Sequence, residues 1–186
     1  PYVSYFYDFR KNAVPCPPPY LPDYTITGVD LGVGPFSHPQ DFHIGPDENF
    51  YIVDTNNNRI VVTDKEWNVI RIITTFKTQT GEEDSLYNPY GVFVNEQGNI
   101  YIADYGNQRA VVLDPDLNLI MQITQKDVEK DIGNEFKVSK IVADKSGRIY
   151  LIAEGIMDGV MEFYSDGYFS GFIGANRVTP NIAEYF

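Results

Sequence analysis

Two carboxylate–guanidinium pairs are the residues whose types and spacing could do chemistry: Asp54 with Arg59, and Asp104 with Arg109. In each pair the acid ends one apolar run and the base opens the next. A tight turn between them would bring the two groups within reach of a charge-assisted hydrogen bond. A catalytic pair is needed once, whereas this one recurs from 54 to 104. The repetition assigns it to scaffolding, as a clamp that pins a hairpin.

Other chemistry finds little support. His38 and His43 are the two histidines, and they sit in one short stretch. Metal centres of the zinc or calcium kind draw ligands from several elements, which this pair does not provide. The segment Asp114-Pro-Asp116-Leu-Asn118 offers two or three side-chain oxygens. A calcium loop needs six or more, so turn formation explains these residues better. No Gly-x-Ser-x-Gly, His-Glu-x-x-His or phosphate-cradling loop occurs. The single cysteine, Cys16, lies in a proline-rich run and reads as a small packed side chain. No catalytic residue, metal or cofactor is therefore assigned.

The 186 residues carry a formal net charge of -12 and a sequence pI near 4.4. No basic run exists to neutralise phosphates, which argues against nucleic acid and against an anionic membrane surface. No apolar stretch reaches the 18 or so residues of a membrane span. The chain opens at Pro1 without Met, as expected if a leader has been removed and the protein works outside the cytoplasm.

The elements that must position these residues recur along the chain. Phe50-Tyr-Ile-Val-Asp54 and Arg59-Ile-Val-Val-Thr63 have counterparts in Ile100-Tyr-Ile-Ala-Asp104 and Arg109-Ala-Val-Val-Leu113. A worn copy follows as Ile149-Tyr-Leu-Ile-Ala153 and Val160-Met-Glu-Phe163. Each unit adds an earlier segment (39–44, 89–94, 138–143) and a later one (69–74, 119–124, 168–173). All are rich in β-branched and aromatic residues, and the joints carry Asn, Asp or Gly where hairpin turns need them. Three four-stranded antiparallel meanders are thus expected. Polar links over 75–88 and 125–137 join them, with a helical turn at Val128–Asp131. Before the first unit, the aromatics of 2–9 read as a strand capping it, Pro15–Pro22 as an extended run, and Tyr24–Gly28 as an outer strand.

Such units cannot bury both faces alone and must stack. Four-stranded meanders fanned about an axis make a β-propeller, here an all-β, partial array of about three blades. In that arrangement the start of each innermost strand lines the mouth of the central channel. Gly91 holds this position in the second unit, and Asp41 and Lys140 hold it in the first and third. With Gln40, Tyr90 and Ser139 they form a polar rim suited to a ligand. The plainer reading is a solvated channel edge.

Asn88-Pro-x-Gly-Val-x-Val94 followed by Ile100-Tyr-Ile-Ala-Asp-x-x-Asn-x-Arg-Ala-Val-Val-Leu-Asp114 resembles the NHL repeat. The first unit keeps Asp54-x-x-Asn57-x-Arg59, whereas the third has Ala153 in place of the Asp, lacks the Asn and Arg, and has an extra residue near Gly155–Gly159. The Tyr-rich leader, the Pro-rich run and Gly171–Pro180 are similar to secreted or surface NHL-domain proteins of Gram-positive gut bacteria. The resemblance implies a six-bladed propeller, with blades over 31–76, 77–125 and 126–174, a capping segment over 1–30 and a linker over 175–186. Half a ring implies a fragment, two copies completing one another through open blade faces, or an open capped array. It also implies a non-catalytic binding or scaffold module for a protein, peptide or glycan. A segment of a metal-dependent lactonase or lyase, with ligands in further blades, is the alternative.

Overall fold

A computed structural model describes residues 5–16, 23–128, 135–156 and 159–174. The first of three four-stranded antiparallel sheets follows a short hairpin of β1 (Tyr5–Tyr7) and β2 (Ala13–Pro15). It comprises β3 (Pro39–Ile44), β4 (Phe50–Asp54), β5 (Arg59–Thr63) and β6 (Val69–Ile73), paired in chain order. A second small hairpin joins β7 (Thr75–Lys77) to β8 (Glu83–Ser85). The middle sheet contains β9 (Gly91–Val94), β10 (Ile100–Asp104), β11 (Arg109–Leu113) and β12 (Leu119–Thr124). The last contains β13 (Val138–Ala143), β14 (Ile149–Ala153), β15 (Val160–Phe163) and β16 (Phe169–Ile173).

The middle sheet is sandwiched, which is why β10 and β11 read as nearly unbroken apolar runs. Val92, Ile100, Ile102, Val111 and Leu113 pack toward the first sheet with Tyr51, Ile60 and Ile73. On the opposite face Tyr101, Ala103, Val112 and Ile123 meet Ile141, Ile149, Leu151 and Met161 of the last sheet. The sheets therefore fan in a partial propeller-type arrangement, with β3, β9 and β13 innermost. Among the described residues they form no closed ring.

The three meanders superpose by register. Asp41 pairs with Val53, Gly91 with Ala103, and Lys140 with Ile152, each one step before the end of the second strand. Tyr51 donates its hydroxyl to Asp47, Tyr150 donates to Asp144, and the Tyr101 oxygen accepts from Asn95. Each tyrosine thus ties its strand to the preceding hairpin. The Asp64 and Asp114 carboxylates accept from the backbone N–H groups of Asn68 and Asn118 at 2.8 Å, closing the third-to-fourth strand turns as Asx turns.

Two expectations change. Residues 24–28 form no strand: Thr27 folds onto Asp30, which accepts from its N–H and hydroxyl, and this local bonding takes the place of a ladder. The link over 75–88 is not merely a polar crossing. It holds the β7–β8 hairpin, turns at Gly81 (φ 85°), and buries Phe76 and Leu86 against the middle sheet. A 3₁₀ turn at Gln125–Asp127, begun by the Thr124–Asp127 capping box, follows β12, and the helical turn expected at Val128–Asp131 falls mostly outside the described residues.

Tyr5, Phe6 and Tyr7 of β1 stay more than half exposed. Contact with the outer side of the first sheet comes instead from Tyr24, Ile26 and Phe36, which line a pocket with Ile52 and Trp67. The expectations for residues 2–4, 17–22, 129–131, 157–158 and 175–186 lie outside the described residues.

Gly106, in the turn after β10, packs directly on Tyr87. A Cβ there would stand 2.5 Å from the Tyr87 carbonyl oxygen. Gly106→Ala is expected to cost about 1–3 kcal/mol, the usual scale of overpacking, read as a lower urea midpoint at unchanged slope.

Candidate functional site

The Asp and Arg residues at the hairpin between second and third strands form buried networks. The Asp54 and Asp104 residues are fully buried. One Asp54 oxygen accepts from the Ser37 N–H at 2.7 Å, and the other accepts from Asn57 at 2.8 Å and Arg59 Nε at 2.7 Å. Arg59 also donates to the Val33 carbonyl at 2.8 Å. Asp104 repeats the pattern with the Tyr87 N–H at 2.9 Å, Asn107 at 2.9 Å and Arg109 Nε at 2.8 Å. Arg109 then donates to Asp84 at 2.7 Å and to the Ser85 carbonyl at 3.2 Å. The hydrogen bond from Arg109 holds the Asp84 carboxyl below its usual range.

These groups have their hydrogen-bonding capacity taken up by backbone and by one another. Their arrangement stitches the segment entering each sheet to the far end of the second strand. In the last sheet Ala153 takes the Asp position, and what ties the arriving segment is the backbone bond from the Glu154 N–H to the Lys137 carbonyl, matched in the other sheets by Asn56 to Ser37 and Gly106 to Tyr87.

The rim positions meet at the inner edge of the fan. As an edge strand, β9 leaves backbone groups without a ladder partner beyond it. An Asp41 oxygen accepts from the Val92 N–H at 2.9 Å, and His43 Nε2 lies 3.4 Å from the Val94 carbonyl. Lys140, on β13, donates to both Asp41 oxygens at 2.5 and 2.6 Å. One carboxylate from the first sheet therefore binds the backbone of the second and the ammonium of the third. Gly91 permits this closeness, since a Cβ there would lie 3.1 Å from the Ser139 carbonyl and 3.3 Å from the Lys140 Cα.

The other rim residues do not join this contact. Gln40 is exposed beside His38, at 2.5 Å. Ser139 donates to the Ile152 carbonyl at 3.2 Å. Tyr90 stacks on Tyr105 with ring centroids 4.0 Å apart and planes 14° from parallel.

Tyr105 is a residue that sequence reasoning passed over. Its hydroxyl donates to Glu154 in the last sheet, and Lys137 Nζ lies 5.7 Å from its ring centre. The Glu154 bond, with burial second, pushes the Tyr105 hydroxyl pKa up to about 12. A signal existed: Thr55, Tyr105 and Glu154 each follow the last residue of the second strand in successive units. That position faces the next unit, and Thr55 likewise donates to the Pro89 carbonyl at 2.7 Å. Tyr90, Tyr105, Lys137 and Glu154 make an aromatic and charged surface across two sheets. No group of three or more His, Cys, Asp or Glu side chains suited to a metal ion lies among the described residues.

No protein-family model matches the chain, and no curated protein matches it. Solved structures do. Hydrazine synthase of Kuenenia stuttgartiensis matches 82% of the chain with a TM-score of 0.54 and 13% identity. Catalytically inactive H270A virginiamycin B lyase of Staphylococcus aureus, in a structure with quinupristin, matches 89% with a TM-score of 0.52 and 12% identity. The extracellular domain of a hybrid two-component system from B. thetaiotaomicron matches 72% with a TM-score of 0.51 and 16% identity. The chain spans 38%, 46% and 17% of the lengths of these structures. At such identities the likeness is one of fold.

Two outcomes are expected. Arg109→Ala should lower stability by about 1–3 kcal/mol, the scale for a hydrogen bond to a charged group, measured by urea unfolding. His43, whose pKa is lowered first by burial, sits among Lys140, Asp41 and Asp47. The unfolded chain therefore takes up its proton first as pH falls. His43 contributes stability that is present above about pH 6.5 and lost as pH drops through its lower folded pKa. The fall in Tm between pH 6.5 and 5 should be smaller in His43→Gln than in the parent.

Proposed function

We propose that the chain is a non-catalytic binding or scaffold module of the NHL propeller type, working outside the cytoplasm. Its blades would span 31–76, 77–125 and 126–174, with 1–30 as a capping segment and 175–186 as a linker. The ligand is a protein, peptide or glycan held on the face that carries Tyr90, Tyr105, Lys137 and Glu154, with Gln40 and Ser139 beside the rim.

The observation that carries this reading is how the charged groups are used. Asp41 engages both Lys140 and the β9 backbone. Asp54, Asp104 and their arginines are taken up in the hairpin networks. At this end the stacked Tyr90 and Tyr105 rings lie beside Lys137, which pairs with Glu135 at 2.6 Å, and the exposed Glu154, which accepts from Tyr105. These pairs lie at the surface and combine aromatic area with opposite charges, the chemistry of a recognition surface. The acidic balance of the chain disfavours nucleic acid as the ligand.

Glycan and peptide arrays probed with the purified chain test it. Specific retention is expected, with Tyr90→Ala lowering the signal at least about fivefold, as for loss of an interface aromatic worth 1 kcal/mol or more, and with an unchanged thermal melt. Turnover of lactone or cyclic-ester substrates by the chain with added Zn²⁺ or Ca²⁺ would overturn the reading in favour of a lyase or lactonase segment.

A further inference from the structure

At the opposite end of the inner strands the first-to-second strand hairpins of all three sheets surround a hollow of about 450 Å³. That volume falls within the range of small-molecule pockets, roughly 300–1,000 Å³. Its floor is aromatic: the His43 and Phe93 rings lie 5.0 Å apart, with Val94 beside them. Its walls are polar, from Asn95, Gln97 and Asp144. We propose that this hollow binds a small organic ammonium ion with an apolar body, the ammonium meeting His43, Phe93 and the Asp144 side while the body covers the floor.

Three observations converge on that chemistry. The Val94 carbonyl can only accept, so the hydrogen bond from His43 places the ring proton on Nε2. Nδ1 then carries the lone pair and accepts from an N–H donor. Phe93 presents an aromatic ring in the same floor, and ring faces attract cations.

The charge at the walls has the matching sign. Lys145 is the ammonium among the lining residues, and it pairs with Glu96 at 3.1 Å across the mouth. Asp144 is the surplus carboxylate. Its oxygens accept from the Ser146 N–H and hydroxyl, the Arg148 N–H and the Tyr150 hydroxyl. These bonds, the Ser146 hydroxyl foremost, hold its carboxyl below the usual range and keep it ionised at neutral pH. An anion would meet this carboxylate and the negative field of the whole chain. A neutral molecule would leave the imidazole acceptor with a weaker donor.

This site lies at the other end of the inner strands from the Tyr90–Tyr105 face, so each reading stands or falls separately. The test compares three probes of one shape: phenethylammonium, 2-phenylethanol and phenylacetate, titrated into the chain at pH 7.5 and followed by calorimetry and amide chemical shifts. Phenethylammonium is expected to saturate one site, with shifts at Gly45, Asn95, Gln97 and Ala143. The alcohol should bind at least about tenfold more weakly, the equivalent of 1.4 kcal/mol, and phenylacetate should not saturate. Phe93→Leu, which keeps an apolar floor, should weaken the ammonium about fivefold through loss of the cation–π contact.

Equal binding of the three probes, no saturation by phenethylammonium in the millimolar range, or shifts centred on Tyr105 would each overturn the proposal. The probe comparison on the unmodified chain decides this even where a variant folds poorly.

Discussion

A buried carboxylate at the end of the second strand is the constraint on which the first two sheets depend. Desolvating a charge costs several kcal/mol unless hydrogen bonds replace the lost water. Asp54 and Asp104 meet that demand with a backbone N–H from the arriving segment, an amide in the turn and an arginine across it. The N–H comes from Ser37 in one case and Tyr87 in the other, both just upstream of the innermost strand. Satisfying the acid therefore fixes where the chain re-enters the sheet. The innermost strand then starts in the same register, and the three inner strands come side by side.

That convergence creates a second demand. The inner edge of β9 would otherwise offer bare backbone groups, and Asp41 and His43 of the first sheet cover it. Asp41 is anchored on β9 and also reaches Lys140, so one residue couples all three sheets. Glycine is required at the matching place in the middle sheet because β13 passes so close. Side chains that look like a ligand-binding rim in sequence are thus drawn into holding the fan together, and the exposed chemistry moves outward to Tyr90 and Tyr105.

Much of this was legible in the sequence because the repeat is short-range. Alternation, Asx turns and the Asp-x-x-Asn-x-Arg spacing each act within about ten residues, and they placed the strands and the equivalence of Asp41, Gly91 and Lys140. What escaped was long-range or came from segments outside the repeat. The contact between Asp41 and Lys140 spans 99 residues, and nothing local in either strand announces it. The β7–β8 hairpin was missed because Glu82-Glu-Asp84 reads as a solvated charge run. Asp84 is nonetheless held by Arg109, and the neighbouring Phe76 and Leu86 go into the core. The hollow at the hairpin ends was invisible for a related reason: its floor pairs His43 with Phe93, from different units.

The two outward faces of the fan are not copies of the faces inside it. Tyr51 pairs with Val62 and Tyr101 with Val112, and both valines are almost fully buried between sheets. The corresponding partner of Tyr150 is Glu162, which binds Arg148 at 2.8 Å and Ser170 at 2.7 Å. Around it Ile152 and Ile173 remain 49% and 46% exposed. A surface packed here as the sheets pack on one another would have to bury an ion pair at the place where valine normally sits, at a desolvation cost the valine does not incur. On the other outer side Val61 and Thr63 are fully buried near the segment that carries Tyr24 and Phe36, while Phe42, Ile44, Ile70 and Ile72 around them stay about half exposed. Joining two copies face to face by repeating the internal contact would therefore require displacing one segment and dehydrating one ion pair. Any partner of the last sheet must instead carry polar groups that complement Glu162 and Arg148 within an otherwise apolar surface.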